Sequence, residues 1–386
     1  MKLNKTFGRV ATTLVATAMM ASLAAPAYAA SMKADGVVET SDTFITLTQT
    51  IDVTGAEDAN NPHVTFTYKI EGNSNTTGAN ASLPVHTGIK PTNVDGEWTV
   101  QAEFDGTETK DNDLVSDTFT IDFENVQWAG VGVYRYTLTQ SNDNKAVNLD
   151  TNPTRYLDVY VGNDDTTGGY KVLYYVLTTD GSLTFSSSDD GDTYDHGNKS
   201  AGFTADYDTY TLTVKKYVTG DMGSKNDSFD FTVNFGNLPA GVEVSVGSGA
   251  AVSSNVVTKA LQDGQTITIK GIPAVGSDGE SVTYTVSEKF ATNKGYSTQY
   301  EVNTVSTAWN GGTDAQNANN AMSGNDTVMT AAAQNMVANN DNCIEFNNSR
   351  NSVTPTGIVM NVAPYALLVV IAAAGCFVFL RKRRED

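Results

Sequence analysis

The sequence predicts an all-β protein made of sandwich domains, on the basis of residue alternation, turn dipeptides and a lack of helical periodicity between the termini. Segments in which Thr, Val or Tyr alternate with other residues recur at 64–68, 98–100, 119–123, 134–138, 210–214, 229–233 and 281–286. Such alternation is typical of strands with one face in a core. Asp-Gly pairs, which favour tight turns, lie between several of these segments. Packed antiparallel sheets are therefore the expected architecture.

A weak internal repeat indicates two such domains. Residues 43–55 read TFITLTQTIDVTG and residues 209–220 read TYTLTVKKYVTG, so that the shared VTG aligns Leu47 with Leu212. We predict domains at 38–208 and 209–350, each beginning with one of these strands. Because no Gly-, Pro- or Ser-rich linker stands at the junction, the two are expected to form a stiff rod.

One part of the second domain has no clear period. Residues 310–342 are rich in Asn, Ala and Gly. We predict a long flexible loop or insertion there.

The N-terminus has the features of a secretory signal peptide. Basic residues at positions 2, 5 and 9 precede an apolar run at 10–25 and the small-residue site Ala27-Tyr28-Ala29. These features are typical of a segment removed on export. We predict a signal helix within 1–29, cleaved after Ala29. Cleavage after Ala30 and retention as a membrane anchor are the alternatives.

The C-terminus has a sorting motif in front of an apolar segment. Val353, Thr354, Pro355, Thr356 and Gly357 are followed by an apolar stretch at 358–380 and a basic tail at 381–386. About 20 apolar residues suffice to span a bilayer, and basic residues favour the cytoplasmic side. We predict that a sortase cuts within 351–357, between Thr356 and Gly357, and that a transmembrane helix in 358–386 holds the chain until then. Without the motif, the segment would be an ordinary tail anchor.

Charge and cysteine content restrict the partners and the means of stabilisation. The net charge of −20 opposes binding to nucleic acid and anionic lipid. Of the two cysteines, Cys376 lies in the tail to be discarded, so Cys343 has no disulfide partner. A secreted protein without disulfides depends on core packing, a metal or another crosslink.

Three polar residues are predicted to point into the second core by strand parity. Lys216 follows Leu212 and Val214, Glu288 follows Tyr284 and Val286, and Asn348 follows Ile344 and Phe346, each on one face of its strand. For any one of them, a polar residue at the strand end is the simpler interpretation, because buried Lys and Glu are rare. The three together favour a chemical role.

The chemistry that fits an amine, a carboxyl and a carboxamide in one core is a Lys-Asn isopeptide bond. Burial disfavours charge, so a buried lysine amine becomes a neutral nucleophile. A protonated Glu288 can polarise the Asn348 carbonyl and pass a proton to the leaving ammonia. We predict that this bond joins Lys216 to Asn348 with Glu288 as its catalyst.

Three segments resemble the backbone, or shaft, pilins of Gram-positive sortase-assembled pili, which are streptococcal T-antigen-like proteins. They are FENVQWAGVGVYRYT at 123–137, KKYVTG at 215–220 and VTPTGIVMNVAPYA at 353–366. The resemblance implies two tandem Ig-like β-sandwiches, each with an internal Lys-Asn bond and a catalytic Glu. Lys216, Glu288 and Asn348 match the family's second-domain triad, with Lys215 and Asn347 as alternatives one residue away.

The first domain departs from that pattern. Ile51, or Gln49 on the same face, stands where the family has lysine, Gln140 stands for the glutamate and Ala205 for the asparagine. A lysine without its partners would be an uncompensated buried charge. We therefore predict no isopeptide bond in the first domain.

The resemblance also implies covalent polymerisation. In the family, the Thr carbonyl of one subunit is joined to a lysine that lies before the last strand of the first domain in the next subunit. Lys199 is the matching residue, and an ordinary solvated lysine is the alternative. The motif departs from the common LPxTG form and is closer to the VPTG of pilins, which implies a pilus-type sortase, other pilin subunits and peptidoglycan as partners; the sequence identifies no host ligand.

Other function classes have weaker support. A monomeric wall-anchored adhesin would share the same ends and domains and is the main alternative. The acidic loop at 186–195 lacks the spacing of a calcium-binding loop, and the three histidines are scattered. We predict no cofactor, no metal and no enzymatic activity, although a pair of glycosidase carboxylates remains open. The expected location is outside the cell, on the wall or in a pilus.

Overall fold

A computed structural model describes two β-rich regions of the chain. The described residues are 38–39, 43–56, 60–77, 79, 84–188, 191–196, 198–249, 251–302, 308–309, 315–338, 342–352, 368–374 and 377. Strands dominate them, and the predicted all-β class is confirmed.

The first region contains thirteen strands and a short 3₁₀ helix at Thr54–Ala56. The strands are β1 (Val38–Glu39), β2 (Phe44–Asp52), β3 (His63–Gly72), β4 (Val85–Thr87), β5 (Trp98–Asp105), β6 (Leu114–Asp122), β7 (Gly132–Asn142), β8 (Val147–Leu149), β9 (Thr154–Asp164), β10 (Gly169–Thr178), β11 (Leu183–Ser188), β12 (Gly191–His196) and β13 (Gly202–Tyr207).

Two sheets and a hairpin arise from these strands. One sheet has the order β1-β10-β9-β7-β3-β5, with β4 also paired to β7, and the other has the order β6-β2-β13-β8. Strands β11 and β12 pair with each other. Side chains from both sheets, among them Phe66, Phe119, Tyr136 and Phe203, share one hydrophobic core, as in a sandwich.

The second region contains thirteen further strands and a 3₁₀ turn at Thr292–Lys294. The strands are β14 (Tyr210–Thr219), β15 (Phe229–Gly236), β16 (Val244–Val246), β17 (Ala251–Val252), β18 (Val256–Leu261), β19 (Thr266–Ile272), β20 (Thr283–Ala291), β21 (Ser297–Val302), β22 (Gln316–Asn317), β23 (Asn319–Ser323), β24 (Asp326–Thr330), β25 (Gln334–Asn335) and β26 (Asn342–Ser349).

These strands also form two sheets around one core. The first has the order β17-β16-β19-β14-β26-β21-β22, and the second has the order β18-β15-β20-β24-β23 with β25 paired to β20. Phe229, Phe231, Tyr284 and Phe346 are among the residues of this core, which is separate from that of the first region. We propose that the two cores with their sheets are the domains 38–208 and 209–350, and call them the first and the second domain.

In each domain the first long strand pairs in parallel with the last one. Strand β2 runs parallel to β13, and β14 runs parallel to β26. Only Asp208 and Thr209 connect β13 to β14, and the Thr209 amide donates to the Gly55 carbonyl at 3.0 Å. A second contact joins the Lys145 amide to the Ser277 carbonyl at 3.0 Å, so the two domains also touch away from this connection in sequence.

The prediction of a flexible loop at 310–342 is wrong for its described part. Strands β22 to β25 lie there, and Ala318, Met329, Ala331 and Met336 contribute buried side chains to the second core. Asn- and Ala-rich sequence has low intrinsic strand propensity, but pairing with β20 and burial of these apolar side chains override it.

Of the two predicted terminal helices, the described residues include a part of the C-terminal one. The signal segment 1–29 lies outside them, and residues 368–374 are helical. Within the described parts of the chain, no helix has the length and apolar character needed to cross a membrane.

Candidate crosslink site

Lys216, Glu288 and Asn348 come from three strands that face one another across the second core. Strands β14 and β26 are neighbours in one sheet, where Lys216 stands opposite Phe346 and Asn348 stands opposite Val218. Lys216 and Asn348 are thus diagonal neighbours on one face. Glu288 belongs to β20 in the facing sheet, where it stands opposite Phe231.

All three side chains are fully buried, each with a relative exposure of 0%. The Lys216 Nζ atom lies 2.8 Å from Glu288 Oε2 and 4.2 Å from the centre of the Phe229 ring. Burial lowers the pKa of Lys216 from 10.5 to about 8, although Glu288 opposes this shift. The environment therefore favours the neutral amine far more than water does.

Several polar atoms of this cluster have no hydrogen-bond partner. Lys216 Nζ, Glu288 Oε2 and Asn348 Nδ2 are all buried without one; the contact between Nζ and Oε2 has the distance of an ion pair but not the angles of a hydrogen bond. Unpaired buried polar atoms are costly and uncommon in native proteins. Condensation would remove the cost for two of them, since Nζ would become an amide nitrogen and Nδ2 would leave as ammonia.

Sequence reasoning missed a fourth member of the cluster, Thr298. This residue stands directly opposite Asn348 on β21, and its side chain is buried. Its hydroxyl lies 2.6 Å from Asn348 Oδ1 and 3.3 Å from Glu288 Oε1. The available signal was its position two residues before the buried Tyr300 on the same strand, which places it on the core face.

The alternative residues Lys215 and Asn347 lie on the opposite face of their sheet. Lys215 Nζ is 5.0 Å from the centre of the Tyr217 ring. Asn347 Nδ2 donates to the Thr219 hydroxyl at 3.0 Å. The structure therefore gathers Lys216 and Asn348 around Glu288, not their neighbours.

The corresponding place in the first domain holds neutral amides. Gln49 stands opposite Phe203 as Lys216 stands opposite Phe346, so that Gln49, and not Ile51, takes the lysine position. The hydroxyl of Tyr68 and the Nε2 of Gln140 both donate to Gln49 Oε1, each at 2.6 Å.

The asparagine position of the first domain holds an apolar residue. Ala205 stands opposite Ile51 and Leu149, just as Asn348 stands opposite Val218 and Thr298. The first domain thus has no amine at the lysine position, no carboxyl at the glutamate position and no carboxamide at the asparagine position.

Of the residues predicted to join subunits, Lys199 lies within the described part of the chain. Lys199 is exposed, lies three residues before β13 and forms an isolated bridge with Thr178. Val353, Thr354, Pro355, Thr356 and Gly357 lie outside the described residues.

The single cysteine of the second domain is inert in its present environment. Cys343 is buried, although parity places it on the face of β26 away from the core. Burial raises the pKa of its thiol to about 12, so the thiolate is scarce at neutral pH.

Comparisons with known proteins place these features in context. Residues 210–336 match a family described as a domain of unknown function, DUF7601. The chain is 25% identical over 372 residues to a protein named pilin from Streptococcus pyogenes serotype M1, covering 88% of this chain and 90% of that protein.

Solved structures show the same fold. The major pilin T3.2 of Streptococcus pyogenes aligns with a TM-score of 0.54 and 22% identity over 82% of this chain and 99% of that one. The major pilin T-13 aligns with a TM-score of 0.52 and 21% identity over 82% and 99%. The resemblance to streptococcal backbone pilins is thus confirmed in both sequence and fold, and it supports a structural subunit of a cell-surface pilus.

Proposed function

We propose that this chain is a covalently polymerised pilus subunit whose second domain is closed by an intramolecular isopeptide bond between Lys216 and Asn348. The observation that carries this proposal is the buried cluster in which Lys216 Nζ lies 2.8 Å from Glu288 and Asn348 Nδ2 has no partner. The similarity to pilins supports a structural and not an enzymatic role.

The reaction forms one amide bond and releases one ammonia. The neutral Lys216 amine attacks Asn348 Cγ, a C–N bond forms, the bond from Cγ to Nδ2 breaks, and one ammonia leaves. Glu288 takes a proton from the amine and returns one to the leaving nitrogen, so it is unchanged at the end. Folding places the two residues as diagonal neighbours on one buried face, which replaces an encounter in solution by an intramolecular step.

The bond would change how the second domain carries force. Because β14 and β26 are parallel, Lys216 and Asn348 lie at the same end of the sheet. A pull that enters at the start of β14 passes through residues 210–216, crosses the bond and leaves after Ser349. The rest of the domain is then outside the path of the load.

Polymerisation would use the two terminal signals and one exposed lysine. We propose that a pilus-type sortase cleaves between Thr356 and Gly357 and joins Thr356 to Lys199 of the next subunit. Export by the signal peptide, transient retention through the C-terminal segment and final attachment to peptidoglycan complete this scheme. The exposure of Lys199 is compatible with attack on a sortase intermediate.

Intact-mass spectrometry of the folded protein tests the internal bond. The mass of the wild-type chain should be lower than that of its sequence by one ammonia, and E288Q should have the full sequence mass. A wild-type mass equal to that of the sequence would refute the crosslink while leaving the pilin fold unaffected.

Cell-wall extracts test polymerisation. Wild-type cells should give a ladder of high-molecular-weight species, and K199R should abolish it, whereas K171R, which alters another exposed lysine of the first domain, should not. A single wall-linked band in wild-type cells would instead indicate the monomeric adhesin. A ladder that persists in K199R would exclude Lys199 as the acceptor.

A further inference from the structure

The Thr298 hydroxyl lies between the Glu288 carboxyl group and the Asn348 carbonyl, which Glu288 would have to polarise. Thr298 Oγ1 lies 2.6 Å from Asn348 Oδ1 and 3.3 Å from Glu288 Oε1. A hydroxyl has one proton to donate and can accept at its lone pairs. The shorter contact assigns the donated proton to Asn348, so Glu288 in its protonated form is the donor to Thr298.

The two carboxyl oxygens of Glu288 therefore serve different partners. Oε2 faces the amine of Lys216 at 2.8 Å, and Oε1 faces Thr298. The resulting order is Lys216, Glu288, Thr298 and Asn348, a chain that begins at the nucleophile and ends at the carbonyl oxygen.

We propose that Thr298 is a catalytic residue of isopeptide formation, which polarises the Asn348 carbonyl and relays the proton between it and Glu288. This inference rests on the proposed Lys216–Asn348 bond. It also modifies the expectation from the sequence, in which Glu288 itself contacts that carbonyl.

The first step forms a neutral tetrahedral intermediate. The Lys216 Nζ electron pair attacks Asn348 Cγ, and one amine proton goes to Glu288 Oε2. At the same time the proton on Glu288 Oε1 passes to Thr298 Oγ1, and the Thr298 proton passes to Asn348 Oδ1. The developing charge on Oδ1 is thus neutralised where it arises, in a site without water.

The second step reverses the relay and releases ammonia. The proton on Oδ1 returns through Thr298 to Glu288 Oε1, which restores the carbonyl. The proton on Glu288 Oε2 goes to Asn348 Nδ2, the bond between Cγ and Nδ2 breaks, and ammonia leaves. Both Glu288 and Thr298 end in their starting protonation states.

The location of Thr298 suits this role. It is the direct cross-strand neighbour of Asn348 on β21, and its side chain is only 4% exposed. Water therefore cannot readily replace its hydroxyl. In the first domain, where no bond is expected, Leu149 occupies the corresponding position opposite Ala205.

The rate of ammonia loss tests the proposal directly. The full chain is made by cell-free synthesis, and its intact mass is followed over time for wild type, T298V, T298S and T298C. T298V and T298C should lose ammonia about 10²- to 10³-fold more slowly than wild type, the usual effect of removing one donor to a developing oxyanion. T298S keeps the hydroxyl and should stay within a few-fold of wild type.

A matched control and a measurement of folding separate chemistry from structure. T327V removes another buried hydroxyl of the second domain, which contacts Thr292 at 3.0 Å, and should leave the rate unchanged. Circular dichroism identifies the variants that fold, and T298C replaces T298V as the test if the latter does not.

The outcomes distinguish this inference from the proposed function. A folded T298V or T298C that loses ammonia at the wild-type rate overturns the relay but leaves the crosslink intact. A folded T298S as slow as T298V also overturns it. A wild-type chain that loses no ammonia refutes the proposed crosslink and the relay with it.

Discussion

The two domains share one framework and differ in four side chains at the same place. In both, the first long strand runs parallel to the last, and an aromatic residue of the last strand, Phe203 or Phe346, packs near Tyr68 or Phe231 of the facing sheet. Around this shared centre, the second domain has Lys216, Glu288, Asn348 and Thr298, whereas the first has Gln49, Gln140, Ala205 and Leu149. The shared strand pairing therefore places four side chains close to one centre in each domain, and their identity determines whether the proposed crosslink could form.

The first domain has a buried ion pair of a different kind elsewhere. Arg135 and Asp158 are joined by two contacts, at 2.8 and 3.0 Å, and Arg135 also donates to the backbone carbonyls of Asn75 and Thr77. A guanidinium stays protonated and cannot act as a nucleophile. The Arg135 guanidinium thus has four hydrogen bonds, whereas the Lys216 amine has an ion-pair contact and no hydrogen bond.

The largest expected difference between the domains comes from removing the crosslink. N348A should have the full sequence mass and lose about 5 kcal/mol of stability in the second domain, the effect of a covalently closed loop of roughly 130 residues. In a W309F background, the fluorescence of Trp98 and Trp128 reports denaturant unfolding of the first domain alone. Circular dichroism reports the unfolding of both domains, so the difference between the two curves gives the second domain.

N347A is the matched control for this experiment. It removes a buried carboxamide whose Nδ2 donates to Thr219 but keeps the crosslink, so we expect a loss of about 1 kcal/mol and an unchanged ammonia deficit. Equal losses in N347A and N348A would contradict a covalent contribution.

Introduction of the lysine, glutamate and asparagine into the first domain should give it a crosslink like the one proposed for the second domain. Q49K alone places an amine beside Gln140 without a carboxyl partner and should cost about 3–5 kcal/mol, as for other uncompensated buried charges. The triple variant Q49K/Q140E/A205N should regain this stability and lose a second ammonia, as measured by intact mass. Addition of L149T should speed that loss if the role proposed for Thr298 is correct.

Failure of a folded triple variant to lose ammonia would show that the shared framework is not sufficient. In that case the surrounding aromatic residues, Tyr68 in place of Phe231, would be the next difference to exchange. Loss of ammonia from Q49K alone would contradict the need for the carboxyl group.

The ion pair of the first domain should be structural only. D158A leaves the guanidinium of Arg135 buried without its carboxylate and should destabilise the first domain by about 3–5 kcal/mol, measured by tryptophan fluorescence in the W309F background. E97A, which removes an exposed partner of Lys69, should have little effect. Neither variant should change the mass deficit of the second domain.

The pH dependence of the uncrosslinked second domain should reveal its buried amine. The pKa of Lys216 is about 8 in the folded protein and near its ordinary value of 10.5 when unfolded. Between these values the unfolded chain binds more protons, so the free energy of unfolding rises with pH. N348A should therefore gain up to about 3 kcal/mol relative to N348A/K216M as the pH rises from below 8 to above 10.5.

The difference between N348A and N348A/K216M removes the contributions of other groups that titrate in the same pH range. Buried tyrosines, for example Tyr284, whose pKa burial raises to about 12, destabilise both variants above pH 10 alike. A flat difference between the two variants would contradict an amine whose charge is disfavoured by burial.

Much of this arrangement could be predicted because side chains alternate strictly along a strand. Alternation alone places Lys216, Glu288 and Asn348 on inward faces, and all three are buried. It could not identify Thr298, because a threonine on a strand is ordinary and its contact with Asn348 comes from a strand 50 residues further along the chain.

Strand pairing decided between two alternatives that the sequence left open, and it overturned one other expectation. The shared VTG aligned Ile51 with Lys216, but the cross-strand pairing with Phe203 shifts the match by two residues to Gln49. Because two is the strand period, such a shift leaves the face unchanged and cannot be detected from alternation. The strands within 315–338 were missed because tertiary pairing, and not local propensity, forms them.

The proposed bond between the first and last long strands of the second domain has a consequence for biogenesis. A chain that crosses the membrane from its N-terminus exposes Lys216 long before Asn348, and the intervening strands must be in place before the two can meet. The proposed bond would therefore form only on a domain that is complete, and ammonia release would mark each molecule that has finished folding. A mass measurement on nascent surface protein would then count mature subunits directly, without any activity to assay.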